Sequence, residues 1–188
     1  MAQNKVRRKK KQLDPRWIIA GAVVAIVVLV ALMFVFREDS STTTTSASSS
    51  ALPAPDFTVQ SLDGDELSLH DFRGQYVLVN FWASWCPPCK AEMPDLHTYY
   101  LEYKNKGFTL LAINVNDDPN SARAFIEANG FTFPVGLDTD GRVFNSYGGS
   151  ALPTSFLIDP QGGLVKAWRP GAITRAMLDA EVTPRLGG

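Results

Sequence analysis

Val77-Leu-Val-Asn-Phe-Trp-Ala-Ser-Trp-Cys86-Pro-Pro-Cys89-Lys-Ala-Glu-Met-Pro94 contains both cysteines of the chain. Its first part, from Tyr76 to Trp82, is a mostly apolar run of strand length, the pattern of a central strand buried on both faces. Its last part opens on two prolines, which suit a first helical turn because the N–H they lack has no intrahelical partner there. The stretch therefore reads as strand, short loop, helix, with Cys86 where the helix begins and Cys89 one turn later.

A Cys-x-x-Cys pair at a strand-to-helix junction points to thiol–disulfide exchange. A thiolate at Cys86 faces free backbone N–H groups and the positive end of the helix dipole, both of which lower its pKa. Cys86 is then the attacking sulfur and Cys89 the resolving one. Pro87 and Pro88 withhold two N–H donors and add no cation, which favours a pair nearer the reducing end of the scale. Three other readings compete. A purely structural disulfide closes so short a loop that its stabilisation is small. Half of a zinc site needs two more ligands, and the soft candidates are His70 and His97; His97 lies about 12 Å along the same predicted helix from Cys89. Inert buried thiols fit poorly at a helix start.

Outward from this core, Phe57–Leu62 and Glu66–Leu69 around Asp63-Gly64 read as a hairpin. The helix from Pro87 is predicted to run to about Lys106, with Gly107 as its stop signal. Phe108–Val115 follows as a strand, Pro119–Asn129 as a helix, Phe133–Leu137 as a short strand, and Gly141–Tyr147 as a turn or two of helix. Ser155–Asp159 and Leu164–Trp168 form a hairpin around Pro160-Gln-Gly-Gly163, and Ile173–Val182 closes the chain as a helix. The alternation predicts a mixed α/β sheet covered on both faces.

The net charge of −1 conceals an asymmetry: seven of the 18 basic residues precede position 17, and the chain from residue 37 onward carries a net of −7. The acidic body argues against nucleic acid as a partner. The basic arm, residues 1–16, borders the uncharged run Trp17–Phe36, whose 20 residues match a bilayer core of roughly 30 Å. We expect 17–36 to be an uncleaved transmembrane anchor in the lipid bilayer, with the N-terminus cytoplasmic and the body outside. Residues 37–55, rich in Ser, Thr and Pro, read as a flexible linker. Residues 56–188 are the catalytic domain.

Ala54-Pro-Asp-Phe-Thr58, the stretch Val77–Pro94 and Leu152-Pro-Thr-Ser-Phe-Leu-Ile-Asp159 resemble the TlpA/ResA-like branch of the thioredoxin superfamily, a redoxin or AhpC-TSA-like domain. The likeness spans essentially all of 54–182. It implies a thioredoxin fold with an N-terminal β-hairpin and a central insertion, the latter around Gly130–Asp138, here preceded by one transmembrane helix. It carries the nucleophile to Cys86, the resolving cysteine to Cys89, the active-site aromatic to Trp85, and the cis-proline beside the disulfide to Pro153. The backbone at Leu152 and Pro153 would then pair with an extended substrate peptide. Asp117 falls where ResA-like members carry a glutamate near the cysteines. Asn80 stands where smaller thioredoxins bury an aspartate that helps proton transfer, so another group must serve Cys89.

The implied function is an extracytoplasmic protein-disulfide reductase. It would act on disulfide-containing exported proteins such as an apocytochrome c during cytochrome c maturation, and an upstream membrane thiol donor would re-reduce it. No cofactor or metal is implied. Two alternatives use the same scaffold. A peroxiredoxin-like peroxidase requires a Pro-x-x-x-Thr-x-x-Cys pattern that this chain lacks. A Sco-like copper-delivery protein uses a three-residue cysteine spacing and a distant histidine, whereas here no histidine follows His97.

Overall fold

The computed structural model describes residues 51–187. The basic arm, the 17–36 run and most of the 37–55 linker lie outside the described residues. No helix among those described is long and apolar enough to cross a membrane.

Seven strands form one mixed sheet: β1 (Thr58–Ser61), β2 (Glu66–Ser68), β3 (Tyr76–Trp82), β4 (Phe108–Val115), β5 (Val135–Asp138), β6 (Thr154–Ile158) and β7 (Leu164–Trp168). Their order across the sheet is β2-β1-β5-β4-β3-β6-β7. β3, β4 and β5 run parallel, while β6, β7 and the β1–β2 hairpin run antiparallel to their neighbours. The helices are α1 (Pro87–Tyr103), α2 (Pro119–Asn129), α3 (Arg142–Ser146), α4 (Arg175–Glu181) and α5 (Thr183–Leu186). This is the thioredoxin architecture, with β1–β2 as the N-terminal hairpin and α2–β5 as the central insertion.

Strand alternation divides the core. Val77, Val79 and Phe81 of β3 pack with Leu111, Ile113, Phe144, Tyr147, Phe156 and Leu69 on one face. Leu78 and Trp82 face the other way, with Cys86, Cys89, Met93, Leu96, Tyr99 and Leu178. Both faces of β3 and β4 are covered, which is why their sequences are mostly apolar rather than alternating. At Gly136 in β5 a Cβ would come within 2.6 Å of Val59 and 3.0 Å of Ile113, so glycine lets the insertion lie close under β1.

The predicted elements are found, with shifted ends. The first long helix stops at Tyr103 rather than Lys106; a turn follows, and Gly107 at φ 81° then feeds β4. β5 starts at Val135 rather than Phe133, since Pro134 has no N–H for a ladder, although its carbonyl accepts from Ala112 N at 3.0 Å. β6 covers Thr154–Ile158, one residue earlier than expected, and the Asp159 carboxylate is used to accept from Gln161 N and Gly163 N in the hairpin. The helix expected at Ile173–Val182 begins at Arg175, because Thr174 is extended and caps it, its side chain accepting from Met177 N.

Candidate active site

The β-ladders decide what meets at one end of the sheet. Phe81 pairs with Thr154 and Trp82 with Asn114. The loop 83–86 after β3, the Leu152-Pro153 bond before β6 and the turn 116–118 after β4 therefore emerge at the same pole. The Leu152-Pro153 peptide is cis.

Cys86 is the N-cap of α1 and forms a disulfide with Cys89, at a Cα–Cα distance of 5.3 Å. Cys89 N donates to the Cys86 sulfur at 3.3 Å. Since Pro87 and Pro88 have no N–H, that of Cys89 is the first the helix start can offer. The two sulfurs differ in position. Cys89 is wholly buried, Cys86 retains 4 % of its surface, and Trp85 beside it is 61 % exposed. Cys86 thus stands at the rim and Cys89 on the floor.

Beside the disulfide, the backbone of the cis-proline segment is partly committed. Gly171 N donates to the Pro153 carbonyl at 2.9 Å, and Thr154 Oγ1 donates to the Ala151 carbonyl at 2.7 Å. Pro153 has no N–H and its carbonyl is taken, so of the expected pair it is Leu152 whose backbone N–H and C=O have no backbone partner among the described residues.

Asp117 is a clamp on the cysteine loop. Its carboxylate accepts from Ser84 N at 2.6 Å, Ser84 Oγ at 2.9 Å, Asn114 Nδ2 at 2.9 Å and Asp118 N at 2.9 Å. Asn116 makes the preceding turn at φ 47°, a left-handed conformation that asparagine tolerates. Partial burial pushes the Asp117 pKa up, but the donors from Asn114, Ser84 and Asp118 together hold it below the usual carboxylate value.

A second carboxyl, overlooked in the sequence, lies deeper. Glu92 is three residues beyond Cys89 in α1, hence on the same helical face, and is only 4 % exposed. Its Oε1 accepts from Asn80 Nδ2 at 2.7 Å and its Oε2 from Ile173 N at 2.6 Å. Asn80 Nδ2 also reaches Ser155 Oγ at 2.9 Å. Burial raises the Glu92 pKa to about 7, against the lowering effect of the Ile173 and Asn80 hydrogen bonds. A signal was legible: the buried stripe Cys89, Glu92, Met93, Leu96 has the i, i+3, i+4, i+7 spacing of a core face, with one acid inside it. Ser155 carries no comparable signal, since its role comes from the β3–β6 register.

His97 belongs to another neighbourhood, against Thr132, Phe131 and Phe133. Among the described residues no group of three or more His, Cys, Asp or Glu side chains is placed to hold a metal ion.

Comparison with known proteins agrees with this geometry. Residues 51–167 match the AhpC/TSA family. The thiol-disulfide oxidoreductase ResA of Bacillus subtilis (strain 168) is 39 % identical over 125 residues, covering 66 % of this chain and 69 % of that protein. The ResA of Geobacillus thermodenitrificans (strain NG80-2) is 43 % identical over 122 residues, 65 % of this chain and 70 % of the relative. A thiol:disulfide interchange protein of Chlorobium tepidum TLS superposes with a TM-score of 0.66 at 34 % identity, covering 73 % of this chain and 97 % of that structure. The chain belongs to the AhpC/TSA family and, within it, to the ResA-like thiol–disulfide oxidoreductases.

Proposed function

We propose that the protein reduces disulfides of exported proteins outside the cytoplasm, held at the membrane by residues 17–36, with apocytochrome c as a natural substrate. The observation that carries the chemistry is the asymmetry of the pair: Cys86 at the rim beside exposed Trp85, Cys89 on the floor one turn from buried Glu92.

In the reduced enzyme the Cys86 thiolate attacks one sulfur of a substrate disulfide. That S–S bond breaks, and the other substrate sulfur leaves as a thiolate and takes a proton. Trp85 and the Leu152 backbone hold the peptide during the attack. The Cys89 sulfur then attacks Cys86 while its proton passes to Glu92, whose pKa near 7 suits a group that must both take and give a proton. The second substrate thiolate departs, and two electrons have moved from the enzyme to the substrate. A membrane thiol donor returns them. Asp117 keeps the loop carrying Trp85 and Cys86 in place. The direction rests on Pro87 and Pro88, which leave the Cys86 thiolate moderately stabilised. The location rests on the basic arm and the apolar run that follows it.

The test is trapping in the full chain. Cys89→Ala is expected to accumulate disulfide-linked adducts of exported proteins, while Cys86→Ala accumulates none. Equal yields from both variants would overturn the assignment of roles. A reduction potential as high as the roughly −120 mV of a dedicated oxidant would overturn the reductase reading. A reporter fused after Gly188 that is active only in the cytoplasm would overturn the location.

A further inference from the structure

Asn80 is completely buried in the middle of β3, and its side chain is unevenly used. Nδ2 donates twice, to Glu92 Oε1 and Ser155 Oγ, while Oδ1 has no hydrogen-bond partner among the described residues. The other Glu92 oxygen faces the Ile173 N–H. Both oxygens of the carboxyl are thus met by donors, which is the arrangement an ionised Glu92 requires. Its burial favours the neutral acid. A neutral acid carries an O–H that must find an acceptor. On Oε2 it would be turned against a backbone N–H that cannot reorient. On Oε1 it would meet Nδ2, which can.

We infer that the Asn80 amide turns over as Glu92 gains or loses its proton, so that one buried contact serves both ionisation states of the carboxyl. The two ends of an asparagine amide have nearly the same size, and the torsion that exchanges them is broad, so the turn asks for no extra volume. After it, Oδ1 accepts from the Glu92 O–H and from Ser155, whose hydroxyl can donate as readily as accept. An amide bonded at both ends would resist turning. Here Oδ1 has no donor to give up among the described residues, so the turn breaks contacts at the Nδ2 end alone. Asp at this position would accept from the neutral acid but repel the ionised one; Leu would serve neither.

Asn80 is then a positioning residue that keeps Glu92 able to exchange its proton with Cys89, and the inference rests on that reading of Glu92. The groups facing Glu92 are Asn80 from β3, with Ser155 of β6 behind it, the Ile173 amide from the segment before α4, and Cys89 one turn back in α1. Of the charged residues on these elements, Lys90 is exposed, Asp95 accepts from the Arg175 backbone N–H, the Arg175 guanidinium pairs with Glu102 and Asp179, and Glu181 pairs with Lys166. No charged side chain contributes to the shift at Glu92.

The test uses the oxidised full chain in a membrane mimetic, labelled with 15N-asparagine and 13C-glutamate, titrated from about pH 5 to about pH 9, a window that brackets the Glu92 midpoint. Asn80→Ser assigns the Asn80 signal. The side-chain amide of Asn80 is expected to titrate with the Glu92 carboxyl and to lose its NH2 contact with Ser155 on the acid side. Both titrations should vanish in Glu92→Gln. A Glu92 that titrates beside a fixed Asn80 amide would overturn this inference and leave the Glu92 reading intact; a Glu92 that does not titrate overturns both. The activity readout is the pH profile of mixed-disulfide resolution. Asn80→Leu removes the donor to the carboxylate and should move the inflection upward, and Asn80→Asp should do so as well by adding a second carboxyl. Loss of rate at every pH with an unmoved inflection would mean that Asn80 is merely structural.

Discussion

Asp117 and Glu92 lie at the rim and on the floor of one site, and each carboxylate is met by backbone and side-chain donors. Their acidities move in opposite directions. Asp117, half-buried, receives four donors and is held below the ordinary value. Glu92, buried, receives two and is raised to about 7. Each donor stabilises the ionised form, while removal from water opposes it. With four donors and a partly wet site the hydrogen bonds win, and with two donors and a dry site burial wins. The rim acid therefore stays charged and fixes geometry, and the floor acid stays poised and can carry a proton.

Removing the floor carboxyl should give the largest effect. Between the ordinary value of 4.5 and about 7 the folded chain holds a proton on Glu92 that the unfolded chain has released, so stability falls as pH rises through that window. At about 1.36 kcal/mol per pH unit, this is on the order of 3 kcal/mol in full. Urea unfolding of the oxidised protein should show Glu92→Gln more stable than wild type above pH 7, with the gap closing near pH 4.5. A constant gap across pH would contradict the contrast. Asp117→Ala should have the opposite sign and a smaller size. It leaves the Ser84 N–H and hydroxyl without their acceptor, a loss of about 1–3 kcal/mol at neutral pH. Because the folded pKa is depressed, that contribution fades as pH falls below 3.8. The same variant should slow attack by Cys86, since the loop before it is no longer held. Smallest in stability is Trp85→Ala: an indole 61 % exposed contributes within about 0.5 kcal/mol, so the melting temperature should hardly move. Its effect belongs to substrate affinity, read as a raised KM with kcat little changed.

The rim was more legible in the sequence than the floor. Cys86, Cys89, Trp85 and Pro153 stand in local motifs, and β3 and β4 declare themselves by mostly apolar runs of seven and eight residues. Asp117 was legible as an acid near the site, but its engagement with Ser84, 33 residues away, depends on the β3–β4 register. The floor is built from still more distant pieces. Asn80, Glu92, Ser155 and Ile173 come from two strands, a helix and a loop, with the Asn80–Ser155 and Glu92–Ile173 contacts spanning 75 and 81 positions. Local periodicity marks Glu92 as buried but not what satisfies it. The late start of α4 is by contrast local: Thr174 is extended and caps the first turn through Met177 N.

The chain enters the described body at the foot of the sheet. Pro53 bridges Gly163, Leu164 N donates to the Leu52 carbonyl at 2.8 Å, and Ala54 N donates to the Gly162 carbonyl at 2.9 Å, all at the β6–β7 hairpin. The disulfide is carried at the head, a strand of seven residues away, about 23 Å at 3.3 Å per residue. Leu52, Pro53 and Ala54 thus hold the sheet at the end opposite the disulfide. A pull on Leu52 or Pro53 would load the hairpin end of the sheet first, a strand's length from the disulfide.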